Sequence, residues 1–318
     1  MDKTYSTLIL AGLLHDIGKL LNKPAGGKHW VLGEEFLRSS PYAELLQTER
    51  FTDDIDFELL CYLVRWHHPR WDKGFPDIAT YAHLLKCVQD ADHFSAGERQ
   101  RKEVHGKDAR GTRALDSIFA PLYLGRPIPS SESKYYPRPL SPDVIFPTAD
   151  IEPLTENDYR PTIDAFKAGF RYALEHAETW RELEAWIYSL LERYTWAVPS
   201  AVHLEPRDVS LFDHSRTSCA LAAAIYLYRY SGQKRARRTF VLIKGDVSGV
   251  QDYVYSVTNI GPGGAAKRLR ARSFFVTALT EVVSHRLLDE LVPGYRLPIA
   301  AKIFAGGGQF VLLAPNLE

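Results

Sequence analysis

The 318-residue sequence predicts an α+β chain: a long, mostly helical N-terminal part followed by a shorter part of order β-α-β-β. Three observations predict it. Apolar residues recur at three- and four-residue spacing through most of the sequence before Ser231. That period gives way to a β-branched and aromatic run at Thr239–Lys244. Two short apolar runs, Ile303–Ala305 and Phe310–Leu313, then flank Gly306-Gly307-Gly308, a strand–turn–strand pattern.

In order, Leu10, Leu13, Leu14, Ile17 and Leu21 predict one helix over 5–21, ended by Pro24, Gly26 and Gly27. His29 opens a second helix through Leu32, Phe36 and Leu37. Residues 55–68 predict a third (Leu59, Leu60, Leu63, Val64), which Pro69 stops just after His67-His68. Residues 77–95 predict a longer helix carrying Asp90, Asp92 and His93, and the charged stretch Glu98–Arg113 reads as a surface loop. Over 118–160 eight prolines break any long helix, so this is a Pro-rich insertion. Alternation at Tyr123–Ile128 and Val144–Phe146 suggests short extended segments there. Helices resume at Thr162–Ala177, Thr179–Tyr194 and about Ser210–Tyr230. The basic run Lys234–Arg238 then reads as a linker, giving domains 1–235 and 236–318. Beyond the Thr239–Lys244 strand, Gly245–Val250 is a turn into a short helix, and Arg268–Leu291 is a long amphipathic one. The order β-α-β-β is the first two-thirds of a ferredoxin-like βαββαβ unit. Either another chain completes that unit or this chain is a fragment, and the abrupt end at Pro315-Asn316-Leu317-Glu318 leans towards a fragment.

Bulk composition narrows the function. Lys plus Arg and Asp plus Glu both number 39, so any nucleic-acid surface must be local. Cys61, Cys87 and Cys219 form no CxxC pair, which argues against a cysteine zinc site or a disulfide framework and fits a reducing compartment. No apolar run reaches the roughly 18 residues of a membrane span, and no basic segment precedes the first apolar stretch as in a signal peptide. The expected location is cytoplasmic, with no membrane partner.

The chemistry concentrates at Leu13-Leu14-His15-Asp16-Ile17-Gly18-Lys19, where adjacent metal-binding side chains interrupt an apolar run. On one helix, neighbours turn by about 100° and can share one ion. Imidazole and carboxylate together suit Mn, Fe, Ni, Co or Zn. His29, His67, His68 and Asp92 stand near helix ends in the same region, and His214 sits on a distant helix. Structural or surface histidines are the competing reading.

These residues resemble the HD metal-dependent phosphohydrolase superfamily, whose signature is H…HD…D. No His precedes His15; the missing one is found at Asp213-His214-Ser215, which resembles a circularly permuted HD domain. Such rearrangement is tolerated where chain termini lie close. Taken with Gly245-Asp246-Val247-Ser248-Gly249-Val250-Gln251, Leu269-Arg270-Ala271-Arg272-Ser273-Phe274 and Ala305–Phe310, the chain is similar to the N-terminal portion of the Csm-type large signature subunit of type III CRISPR–Cas effector complexes. Ala91-Asp92-His93-Phe94-Ser95-Ala96-Gly97-Glu98-Arg99 matches as well, while 119–200 is only loosely similar.

The resemblance implies a nuclease cutting single-stranded DNA with a divalent transition metal (Mn, Ni or Co, with Mg also usable), followed by an incomplete palm domain. It implies His15, Asp16, Asp92 and His214 as metal ligands, with His67 and His68 holding a second metal or the scissile phosphate. The catalytic set is then His15, Asp16, His67 and His68. At the palm it implies ATP contact through Asp246, Ser248, Gly249 and Gln251, a tight structural turn being the alternative. The Gly-Gly-Asp-Asp hairpin with which the family makes cyclic oligoadenylate is absent, so this chain alone is not expected to make it. The implied partners are single-stranded DNA, the small subunit and the crRNA-end-binding subunit, with crRNA and target RNA engaged indirectly. Lys19 can reach a phosphate or simply be solvated. Lys267, Arg268, Arg270 and Arg272 read either as a phosphate or RNA contact or as a subunit interface. Trp66, Trp71 and Phe94 are candidate stacking residues or core. The alternatives are an HD phosphohydrolase of small nucleotides and a scaffold with a vestigial HD site.

Overall fold

The computed structural model describes residues 2–25, 27–68, 79–96, 102–103, 113–119, 133–149, 151, 154–256 and 264–318. They divide into two compact units, Met1–Ala222 and Ala223–Glu318.

The first unit is helical: α1 (Lys3–Leu14), α2 (Gly18–Ala25), α3 (His29–Arg38), the short α4 (Tyr42–Leu46) and α5 (Glu49–Thr52), α6 (Phe57–Trp66) and α7 (Ala79–Ala96). Three two-residue strands follow, β1 (Lys102–Glu103), β2 (Leu115–Asp116) and β3 (Lys134–Tyr135). Next come α8 (Glu156–His176), α9 (Trp180–Thr195), β4 (Leu204–Glu205) and α10 (Leu211–Tyr230), which runs past the end of this unit at Ala222. β1 pairs antiparallel with β4, and β2 with β3. The central helix is α1, capped by Asp2, whose carboxylate accepts from Thr4 N–H at 3.0 Å. Every residue from Tyr5 to Leu14 is buried, as expected of a helix apolar all round. Its fully buried leucines and isoleucine contribute about 1.5–3 kcal/mol each. α6 packs along it and is tied on by Asp56, whose N–H donates to Thr7 Oγ1 at 2.9 Å while its carboxylate caps Leu59 N–H at 3.0 Å.

Two close approaches fix the frame of the site. A Cβ on Gly12 would lie 2.8 Å from the Cys219 Cα, so α1 and α10 touch backbone to backbone there. His15 is one turn beyond Gly12 and His214 lies five residues before Cys219, so that contact brings the two histidines together. A Cβ on Gly18 would lie 1.8 Å from the His29 carbonyl oxygen, which seats the start of α3 on the start of α2.

The single helix expected over 5–21 is instead two, broken at His15–Ile17. Ile17 N–H turns back to Leu14 O at 3.0 Å and Lys19 N–H to Asp16 O at 2.8 Å, a tighter winding than α. The break follows from the Gly18–His29 approach, a long-range contact that periodicity does not register. Other expectations shift as well. α8 starts at Glu156, six residues before Thr162, with Pro161 inside it. The Asp158 carboxylate accepts from Thr155 N–H and Oγ1, both at 2.7 Å, and fixes that start. Val144–Phe146 is turn and bend, not strand. The described part of the Glu98–Arg113 loop includes strand β1. Tyr123–Ile128 lies outside the described residues.

In the second unit, β5 (Arg235–Asp246), α11 (Val250–Tyr255), α12 (Ala265–Glu290), β6 (Lys302–Gly306) and β7 (Gln309–Leu317) form a three-stranded sheet of order β5-β7-β6 with helical connections. Both pairings are antiparallel, so β5 and β6 run parallel on either side of β7. Such a connection needs a crossover, and α12 supplies it, packing on β6 and β7. α12 buries the stripe Val276, Thr280, Ser284 and Leu288. Gly307 and Gly308, at φ 61° and 86°, make the β6–β7 turn. This is the β-α-β-β unit the sequence predicts. The basic run, however, is strand rather than linker: β5 begins at Arg235, which pairs with Leu317 across a bulge. Among the described residues no helix is long and apolar enough to cross a membrane.

Candidate metal centre

Six segments of the first unit deliver the site. His15 caps the C-terminus of α1, and Asp16 follows in the break. His29 is the first residue of α3, and His67 caps α6 with His68 next. Asp92 projects from α7, and His214 stands in the first turn of α10.

They form two ligand sets that share Asp16. One is His15, Asp16, Asp92 and His214; the other is Asp16, His29, His67 and His68. Asp16 Oδ1 faces His29 Nε2 at 3.1 Å and His67 Nε2 at 3.5 Å. Its Oδ2 faces His214 Nε2 at 3.0 Å and His15 Nε2 at 3.5 Å. Asp92 Oδ1 lies 3.0 Å from His214 Nε2, and its Oδ2 lies 3.9 Å from His68 Nε2. Ligand atoms about 2.1 Å from one ion stand roughly 3.0–3.4 Å apart in octahedral or tetrahedral geometry, so these separations suit coordination.

The hydrogen bonds behind the rings turn the correct nitrogen inward. His15 Nδ1–H donates to Gly12 O at 2.9 Å, and His67 Nδ1–H donates to Val64 O at 2.8 Å. That leaves each Nε2 lone pair facing the cluster. His214 Nδ1 meets Ser95 Oγ at 2.9 Å, and its Nε2 lies 3.4 Å from that of His15. Two imidazole lone pairs so placed repel unless a cation lies between them. Asp16 Oδ1, His29 Nε2 and His67 Nε2 are shut off from water and complete no hydrogen bond. Buried polar atoms without partners are costly, and a bound divalent cation satisfies all three.

Protonation states agree. Burial pushes His15 down to about 4, helped by His67 and His214 against Asp16 and Asp92. Burial and His67 take His68 to about 3, and burial lowers His29. These imidazoles are neutral at pH 7, the form that binds metal. For Asp16 burial favours the neutral acid, but Lys19 and His15 outweigh it and hold the carboxyl well below its usual range. Burial opposes ionisation of Asp92 too, and the His214 hydrogen bond and the neighbouring His15 ring overcome it.

The structure thus gathers His15, Asp16, Asp92 and His214, and separately sets His67 and His68 against Asp16. It adds His29, a helix-end histidine that resembles a position found in many HD proteins but stands outside the predicted ligand set. It also adds Ser95, which lies in the matched stretch around Asp92 but has no implied role there. Lys19 pairs with Asp16. Asp90 pairs with Lys86 at 2.7 Å, and His93 is exposed. Of the stacking candidates, Phe94 is exposed, Trp66 lies under Arg65 at 4.2 Å, and Trp71 falls outside the described residues. In the second unit Asp246, Ser248, Gly249 and Gln251 are exposed together where β5 turns into α11; Val247 N–H donates to Gly308 O at 2.8 Å beside them.

Residues 3–97 match the HD domain family, and residues 239–318 match Csm1 subunit domain B. The chain is 28% identical to a Methanocaldococcus jannaschii protein named CRISPR system single-strand-specific deoxyribonuclease Cas10/Csm1 (subtype III-A), over 99% of this chain and 42% of that one. It is 27% identical to the Streptococcus thermophilus protein of the same name, over 100% and 41%. The chain therefore spans about two-fifths of the length of these relatives. Among solved structures, Csm1 of T. onnurineus superposes with TM-score 0.68 at 24% identity, over 99% of this chain and 40% of that one. A Csm1–Csm4 cassette in complex with one ATP superposes with TM-score 0.68 at 25% identity, over 98% and 39%.

Proposed function

From its matches to the HD domain family and to Csm1 subunit domain B, we propose that the chain is a member of the Cas10/Csm1 family and a divalent-metal-dependent nuclease for single-stranded DNA, working inside a type III CRISPR RNA-guided complex. The single observation carrying this reading is the shared carboxylate: Asp16 presents one oxygen to each of two histidine-rich ligand sets. His15, Asp16, Asp92 and His214 would hold one ion and Asp16, His29, His67 and His68 the other. When bound, divalent ions at such donors stabilise charge on phosphodiester oxygens and lower the pKa of an attacking water. Imidazole-rich donors favour Mn, Ni or Co over Mg.

The chain's own residues do the remainder. Gly12 O and Val64 O fix the tautomers of His15 and His67. Lys19 keeps Asp16 ionised and supplies positive charge beside a phosphate. The partly exposed His68 and Asp92 mark the side from which a strand enters. The relatives' names support single-stranded DNA as the substrate, and a site whose His15, Asp16, His67 and His214 are buried fits a hydrolytic centre better than a surface ion site.

We divide the work between 1–235, the nuclease domain, and 236–318, a palm segment. In that segment the exposed Asp246, Ser248, Gly249 and Gln251 contact ATP once a second palm is present. The solved Csm1–Csm4 cassette with ATP supports this assignment. Partnership with the small subunit and the crRNA-end-binding subunit, and indirectly with crRNA and target RNA, follows from the same family reading, as does a cytoplasmic location. The test compares wild type with the His15→Ala, Asp16→Ala double variant on labelled single-stranded DNA with added Mn. Wild type should cut and the variant should not. Equal cleavage, or none by wild type, overturns the assignment.

A further inference from the structure

The two ligand sets are not equally accessible. The side chains of His15, Asp16 and His67 are 0% exposed and that of His214 1%, whereas Lys19 is 22%, His68 27%, His29 17% and Asp92 15% exposed. The mouth therefore opens on the side of Lys19, His29, His68 and Asp92. Trp30 stands there. Its ring lies 4.8 Å from that of His29 and 5.5 Å from that of His68, meeting both near-perpendicular (82° and 70°). Exposed Lys28 carries its ammonium 5.8 Å from the Trp30 ring centroid, and Trp30 itself is half-buried.

A half-exposed indole with a cation over it, at the rim of a phosphodiester-cutting centre, is the composition by which proteins grip single-stranded nucleic acid: the ring stacks on a base and the cation takes a phosphate. From this juxtaposition we infer that Trp30 is a stacking platform for a base of the strand beside the scissile phosphate, and that Lys28 contacts the backbone next to it. The inference rests on the nuclease reading for its substrate. It adds a binding subsite outside both ligand sets, and it explains a preference for single strands: in a duplex the bases are already stacked on one another and have no free face to offer.

The alternative is that Trp30 merely props the His29 and His68 rings, and a strand without bases separates the two. Binding of a labelled oligothymidylate and of an abasic strand of equal length is measured by fluorescence anisotropy with Mn present. The proteins are wild type, Trp30→Phe, Trp30→Ala and Lys28→Ala, and Mn affinity is measured alongside by calorimetry. Loss of a base–aromatic stack should weaken Trp30→Ala on oligothymidylate at least about fivefold. Its abasic binding and Mn affinity should stay at wild-type values, and Trp30→Phe should retain most of the affinity. Lys28→Ala should weaken both strands. Equal losses on both strands for Trp30→Ala, loss of Mn binding in Trp30→Phe, or no binding of oligothymidylate by wild type each overturns the inference. If base-dependent binding through Trp30 is found while wild type fails to cleave, the nuclease reading falls and the stacking site stands.

Discussion

The buried histidines make the stability of the metal-free protein depend on pH in a calculable way. His15 ionises near 6.5 when unfolded and at about 4 when folded, because burial disfavours the imidazolium. Between those values the unfolded chain takes up a proton that the folded chain refuses, so stability falls as pH falls. At about 1.4 kcal/mol per tenfold change in proton affinity, His15 alone removes ~2 kcal/mol by pH 5 and ~3 kcal/mol by pH 4. His15 is fully buried, so no solvent screening reduces this share. His68 and His29, also lowered, act in the same direction over the same window. The depressed carboxyls, Asp16 and Asp92, lose their contribution only at lower pH, below the unfolded carboxylate range. The assay is urea unfolding in excess chelator at pH 7, 6 and 5, on wild type and on His15→Gln. Wild type should lose a few kcal/mol across the series, and His15→Gln should lose about 2 kcal/mol less. A wild-type stability that stays level or rises on acidification would refute the reasoning.

Metal stoichiometry tests the shared carboxylate: Asp16→Asn should abolish binding in both sets, whereas His214→Ala and His29→Ala should each spare the opposite set, read by elemental analysis after dialysis against Mn. Ser95→Ala should weaken Mn at the His214 set by about 10- to 100-fold, the usual effect of losing a group that orients a ligand, with Ser95→Thr restoring it; unchanged affinity would remove Ser95 from that role. Gly12→Ala places a methyl 2.8 Å from the Cys219 Cα. Forcing α1 and α10 apart should cost about 1–3 kcal/mol in thermal or urea unfolding and lower Mn affinity at His214 more than at His67.

What the sequence reveals of this protein depends on how far apart the determining contacts lie. Helices α3, α6, α7, α9 and α10 are legible because their apolar spacing, caps and stops are local. The break after α1 is not, because its cause is Gly18 lying under the carbonyl of His29 in the next helix. Likewise the run Lys234–Arg238 has the composition of a solvated linker, and it is strand because Arg235 finds Leu317 at the other end of the unit. β2 and β3 are two residues each, too short to carry a period.

The candidate site divides along the same line. His15-Asp16, Asp92 and His214 are found through their likeness to a known pattern, since no spacing rule connects residues some two hundred positions apart. His29 is visible in the sequence as a helix-end candidate without an assigned ligand role, and its place 3.1 Å from Asp16 follows from the same Gly18 contact that breaks the helix. Had 5–21 been one continuous helix, His15 and Asp16 would diverge by about 100° and contribute to one ion as neighbours on one surface. In the broken form Asp16 leaves the helix and offers a separate oxygen to each side. The feature that periodicity misreads is therefore the one that lets a single carboxylate serve two metal sets, and Gly18 is the residue whose enlargement would cost the protein that arrangement first.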